Sequence, residues 1–162
     1  MSNHSDAADS DRIVVGVDGS EPSKHALRWG QSLARMTGTY VEAIAAWELF
    51  TGWGAFSAGW AAMPADWNPG DDAEKALAAT VDDVFGGQRP PGLRTEVREG
   101  NAARVLLEAS KGARMLVVGS RGHGGFAGLL LGAVSAACAE HADCPVLVVH
   151  GTTPPPALAS GA

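Results

Sequence analysis

The sequence predicts an α/β domain in three layers, an open parallel β-sheet of five strands with helices on both faces. Three observations carry this. Short apolar runs alternate along the chain with segments whose apolar residues recur at helical spacing, the pattern of strands joined by crossover helices. The first, fourth and last runs are almost wholly apolar, as strands covered on both faces must be. The chain has 162 residues, 46% of them hydrophobic, which suits one domain with a substantial core.

Each element has its own signal. Ile13–Val17 is a short apolar run and reads as strand one. Pro22 stands in a first helical turn behind Ser20 as N-cap, and Ala26, Leu27, Gly30, Leu33 and Ala34 follow at helical spacing until Gly38 ends the helix. Tyr40–Trp47 is strand two. Asp71–Phe85 is a helix with Ala76, Leu77, Val81 and Val84 on one face, stopped by Gly86-Gly87. Leu93, Thr95 and Val97 alternate with Arg94, Glu96 and Arg98, the pattern of a half-exposed strand three. Asn101 caps a helix that runs through Lys111 to Gly112. Met115–Val118 is strand four, Gly132–His141 a helix, and Pro145–Val149 strand five. The domain therefore occupies residues 12–150. Residues 1–11 lack apolar periodicity, and the tail from Gly151 contains Pro154-Pro155-Pro156; both tails are expected to be disordered.

Charge and composition exclude several function classes. Lys and Arg number 12 against 18 Asp and Glu, a net charge of −6, which opposes nucleic acid and anionic membrane as partners. No apolar stretch is long enough to span a bilayer, and Met1–Asp11 lacks the basic and apolar regions of a secretory signal. A cytoplasmic location is expected. Two cysteines make no disulfide framework. Cys138, His141 and Cys144 have a spacing that suggests zinc, but only three ligands exist and Cys138 sits among alanines, so helix packing is the favoured reading.

The chemistry gathers after strands one and four, because parallel sheets bind ligands beyond the strand C-termini. Five of the ten residues Gly119–Gly128 are glycine, and a helix starts near Gly132. Glycine lets backbone N–H groups crowd around an anion, a helix N-terminus adds unpaired donors, and Arg121 adds a full charge. Together they suit a polyphosphate better than an idle surface turn. Other glycine motifs fit worse. No Gly-Lys-Ser/Thr triplet forms a P-loop, the GxGxxA match at Gly122–Ala127 follows the wrong strand, and Val118 replaces the first Gly of a nucleophile elbow at Ser120. Asp18, at the end of strand one, suits a sugar hydroxyl or water-mediated Mg²⁺; the competing reading is an Asx-turn or helix cap.

The spacing Gly119-x2-Gly122-x9-Gly132, with RIVVGVDGSEPSKHALRWG near the start and CPVLVV near the end, resembles the universal stress protein family over Arg12–His150. The resemblance implies a Rossmann-like fold of the adenine nucleotide alpha hydrolase type, with strand order 3-2-1-4-5. It implies ATP between strands one and four, and a homodimer. By position, Gly16, Val17 and Asp18 would lie by the ribose and adenine. Trp47 would offer backbone groups to adenine. Gly119, Ser120, Arg121, Gly122, His123, Gly124 and Gly125, with Gly132, Ala133, Val134 and Ser135, would wrap the phosphates. The family's Ser or Thr after the last Gly is Ala133 here. A lost hydrogen bond to a charged group costs about 1.5–3 kcal/mol; Ser135 carries the nearest remaining hydroxyl. Ala102 stands where relatives often carry Pro.

Two regions point to partners. Loop 48–70 carries Trp53, Trp60 and Trp67 at a spacing of seven, with Phe50 and Phe56, and is expected to act as a nucleotide lid or a protein-docking surface. Val146–Val149 should lie at a sheet edge, where two copies can pair. The functional expectation is an ATP-binding stress-response regulator. The alternatives are a nucleotide-free dimeric adaptor, or a slow ATPase or self-phosphorylating enzyme with Ser120 or Ser135 as acceptor and His123 as the available base.

Overall fold

The computed structural model describes residues 10–48, 66, 68–121 and 131–156. Along them run β1 (Arg12–Gly16), α1 (Glu21–Thr37), β2 (Tyr40–Trp47), α2 (Pro69–Phe85), β3 (Arg94–Glu99), α3 (Ala102–Ala109), β4 (Met115–Gly119), α4 (Ala133–His141) and β5 (Val146–Val149). All pairings are parallel and the sheet order is β3-β2-β1-β4-β5. Strand order therefore reverses between β1 and β4, leaving a crevice at their C-terminal ends.

The period-two alternation of β1 divides the core between two faces. Ile13, Val15 and Val17 point to the side where Ala26, Leu27 and Ala34 of α1 and Leu77 and Val81 of α2 close over them. Val14 points to the other side, where Val105, Leu106 and Ala109 of α3 and Cys138 of α4 pack. Each fully buried Ile, Leu or Val contributes about 1.5–3 kcal/mol on leaving water. Close layer spacing relies on Gly30, where a Cβ would stand 2.5 Å from Val15 Cγ2.

Several boundaries differ from the sequence reading, each for a local reason. β1 starts one residue early because Arg12 is buried, its Nη2 donating to the carbonyls of Ala109 and Lys111, both at 2.8 Å. The same bonds occupy carbonyls at the end of α3, which stops at Ala109 rather than Lys111. α2 begins at Pro69, not Asp71, because Asn68 Oδ1 accepts from Gly70 N at 2.9 Å and Pro69 fits the first turn. β3 is Arg94–Glu99; Leu93 and Val97 reach the core while Thr95 is exposed. Ser20 and Gly38 cap α1 as expected, Gly38 in the left-handed region at φ 67°. Among the described residues no helix is long and apolar enough to cross a membrane.

Candidate functional site

A cleft of about 190 Å³ opens at the C-terminal ends of β1 and β4. Its floor is apolar, formed by Val17, Ile44, Leu106 and Val118, with Ala46 and Ala102 beside them. Gly16 keeps this floor low, since a Cβ there would stand 2.7 Å from Leu106 Cδ1. The opposite end is polar and cationic, formed by Arg121 and the first turn of α4. An apolar slot joined to an anion-attracting end suits an amphipathic ligand with a flat ring and a phosphate.

The start of α4 is the strongest polar feature. Gly132 is the N-cap, and no side chain caps this helix. The Gly132 N–H is occupied, donating to Ser120 O at 2.7 Å. Ala133, Val134 and Ser135 follow as the first helical residues, whose N–H groups have no intrahelical acceptor, and all three line the cleft. These donors, with the partial positive charge of the helix end, favour an anion.

The Ser135 hydroxyl is committed elsewhere. Ser135 is buried, and its Oγ donates to Gly119 O, tying α4 to the end of β4. It therefore does not replace the hydroxyl missing at Ala133; the Ser135 N–H remains at the cleft. Ser120 is also buried, donates its N–H to Val149 O at 2.9 Å, and is not among the lining residues.

Asp18 lines the cleft and forms the Asx-turn weighed from sequence. Its Oδ1 accepts from Ser20 N at 2.9 Å and from Ser20 Oγ. This turn feeds the cap of α1, where Ser23 N donates to Ser20 Oγ and Ser23 Oγ donates to Ser20 O. One carboxylate thus both holds this turn and lines the cleft. Ser23 itself lines the cleft, and its Oγ accepts from Asp18 N at 3.3 Å.

The structure brings together Gly16, Val17, Asp18, Gly119, Arg121, Gly132, Ala133, Val134 and Ser135. Trp47 is not among the lining residues, whereas Ala46 is; the contact expected of Trp47 is through its backbone, and strand alternation turns only its ring to the other side. The Trp47 carbonyl accepts from Gly100 N at 2.8 Å, and its ring lies by Gly70. Gly122, His123, Gly124 and Gly125 lie outside the described residues, as do Phe50, Trp53, Phe56, Trp60 and Trp67. Sequence reasoning missed Ser23, Ile44, Ala46 and Leu106, which carry no motif and join the site only through strand order and the packing of α3.

Cys138, His141 and Cys144 do not form a metal centre: no cluster of three His, Cys, Asp or Glu among the described residues could hold an ion. Cys138 is fully buried, and burial pushes its thiol up to about 11. Cys144 is also raised, again chiefly by burial.

A sequence profile of the Universal stress protein family matches residues 10–150. The chain belongs to that family. A universal stress protein of Mycolicibacterium smegmatis is 34% identical over 142 residues, covering 86% of this chain and 48% of its own length. This universal stress protein thus spans about half the length of the curated relatives it matches. Among solved structures it is similar to a universal stress protein in complex with cAMP, with 23% identity, TM-score 0.63, and coverage of 88% of this chain and 98% of that one. It is also similar to a universal stress protein family protein from Arabidopsis thaliana with AMP bound, with 20% identity, TM-score 0.53, and coverage of 86% and 90%. At these identities the likeness fixes the fold.

Proposed function

We propose that this universal stress protein domain is a regulatory module that binds an adenine nucleotide, ATP with Mg²⁺ in the fullest form of the reading. The observation that carries it is the run of N–H donors at Ala133, Val134 and Ser135, without a side-chain cap, opening onto a cleft with an apolar floor. That two proteins of this fold hold cAMP and AMP supports the reading. The base would lie on Val17, Ile44 and Leu106, where apolar contact removes a flat ring from water. The phosphates would meet the α4 N-terminus and Arg121, where charge-assisted hydrogen bonds are strongest.

Asp18 fits two tasks. As an acceptor it would hold a ribose hydroxyl. As the carboxylate among the described lining residues it would hold Mg²⁺ together with phosphate oxygens and water, since Mg²⁺ keeps several waters and takes few protein ligands. A bound Mg²⁺ would offset the repulsion between Asp18 and a polyphosphate.

Assembly and location complete the proposal. β5 is an edge strand whose Val146, Leu147 and Val148 are half-buried. The opposite edge, β3, carries Arg94, Glu96 and Arg98, charges that discourage strand addition. A homodimer through Val146–Val149 is the assembly we propose, in a cytoplasmic domain of residues 12–150, with the segment between β2 and α2 as a lid or docking surface. Light scattering that gives a monomer at micromolar concentration would remove the dimer.

The test of binding is calorimetry with ATP, ADP, AMP and cAMP, with mass analysis of any small molecule released on denaturation. Affinity for at least one of these supports the reading. Silence toward all four overturns it in favour of the nucleotide-free dimeric adaptor. Phosphate release, or added mass at Ser120, would instead indicate the slow ATPase or self-phosphorylating alternative.

A further inference from the structure

The segment that follows β5 is seated on α1. Gly151, with φ 59°, turns the chain back, and Thr153–Pro156 then run along the helix. Trp29 Nε1 donates to Thr153 O at 2.9 Å, and Ser32 Oγ donates to Pro156 O at 3.2 Å. Both donors lie on the flank of α1 beside Leu33, and Trp29, Leu33 and Leu147 pack against the edge of the core.

The geometry of these two bonds is selective. Proline fixes φ near −65° and favours the polyproline II helix, with three residues per turn and a rise of about 3.1 Å. Carbonyls three residues apart on such a segment point the same way, roughly 9 Å apart. Residues 29 and 32 are about 4.5 Å apart along a helix axis. Side chains lean toward the helix N-terminus, and the long indole carries Nε1 further in that direction than the short Ser32 reaches. The two donors are thereby spread to match two carbonyls of one extended segment. An aromatic N–H donor and a flat apolar surface are the means by which proline-rich peptides are read elsewhere. Proline lacks an N–H, so Pro154, Pro155 and Pro156 offer only carbonyls, and the α1 flank offers donors.

We propose that the flank of α1 formed by Trp29, Ser32 and Leu33 is a recognition surface for proline-rich extended peptides, and that residues 153–156 hold it as an internal stand-in for such a partner. Of residues 151–156 only Pro155 is even half-buried, so the segment lies on the surface and can be displaced. A short tether gives the internal segment an effective concentration of the order of millimolar. A partner peptide must outcompete that, which keeps the surface closed to weak ligands.

The test uses the full chain and an N-terminally labelled peptide, GTTPPPAL, read by fluorescence anisotropy. Pro154→Gly, Pro155→Gly and Pro156→Gly together remove the preorganised internal segment without touching α1. This variant should bind the peptide at least about tenfold more tightly than the unaltered chain, as expected when a competing internal segment is released. Adding Trp29→Phe keeps an aromatic, though smaller, ring and removes the N–H; the peptide should then bind at least roughly three- to tenfold more weakly, the effect of one neutral hydrogen bond. A peptide with the three prolines replaced by alanine should lose affinity. Equal binding by the Trp29→Phe chain, equal binding of the alanine peptide, or no binding to the folded triple variant at millimolar peptide overturns the proposal. Hydrogen exchange of the Trp29 indole N–H in the unaltered chain is a second reading. Exchange as fast as in a free indole overturns the internal contact without any substitution.

Discussion

Ala133→Ser tests most directly whether a phosphate sits at the α4 end of the cleft. Ala133 is the first residue of α4 and lines the cleft beside Gly132. The nearest native hydroxyl, Ser135 Oγ, is bound to Gly119 O, so no existing side chain duplicates the one introduced. A serine hydroxyl at the first helical position lies among the N–H donors and would give a bound phosphate one more hydrogen bond. Such a bond to a charged group contributes about 1.5–3 kcal/mol, which is roughly ten- to a hundredfold in affinity. Serine is a poorer helix former than alanine by a few tenths of a kcal/mol, so the fold should barely register the change. Calorimetry with ATP, AMP and adenosine separates the causes. The nucleotides should tighten by that factor while adenosine stays unchanged. If adenosine gains as much as ATP, or if neither nucleotide gains, the phosphate does not sit at the α4 N-terminus and the reasoning fails.

Other consequences concern stability and reactivity. Gly119→Ala places a Cβ 2.7 Å from the Pro22 carbonyl carbon and Cβ; the first turn of α1 must yield, and urea melting should show a loss of about 1–3 kcal/mol. Gly30→Ala should cost a similar amount, because its Cβ would meet Val15 Cγ2 at 2.5 Å. Burial holds the Glu42 carboxyl above the ordinary carboxylate range, with Arg12 opposing. A folded state that keeps this proton longer than the unfolded chain loses stability as pH rises from the ordinary glutamate value, about 4.3, through the raised one. Glu42→Gln should therefore gain on the parent protein across that window in thermal melts; a relative loss with rising pH would contradict the assigned direction. Iodoacetamide near neutral pH should leave Cys138 intact in the native protein by intact mass, and modify it after unfolding, because burial both covers the thiol and suppresses its thiolate.

What the sequence determined by itself was the set of local elements and their order. Apolar runs such as Val14-Val15 and Val146–Val149, the Ser20 cap with Pro22, and Gly38 and Gly86 after their helices are short-range signals that act within a few residues. The glycine spacing around Gly119 and Gly132 marked one end of the cleft, which both residues line. Tertiary structure decided what local chemistry cannot encode. Ile44, Ala46, Leu106 and Ser23 became one cleft only when β2, α3 and α1 met at the crevice between β1 and β4. Strand alternation set the Trp47 ring beside Gly70, on the side away from Ile44 and Ala46. The hydroxyl of Ser135 was bound across the fold by Gly119 O, and residues 153–156 were held by Trp29 and Ser32, 124 positions away in sequence. Caps and periodicity are energies between near neighbours, whereas a binding site is a set of distances between residues that only packing brings together.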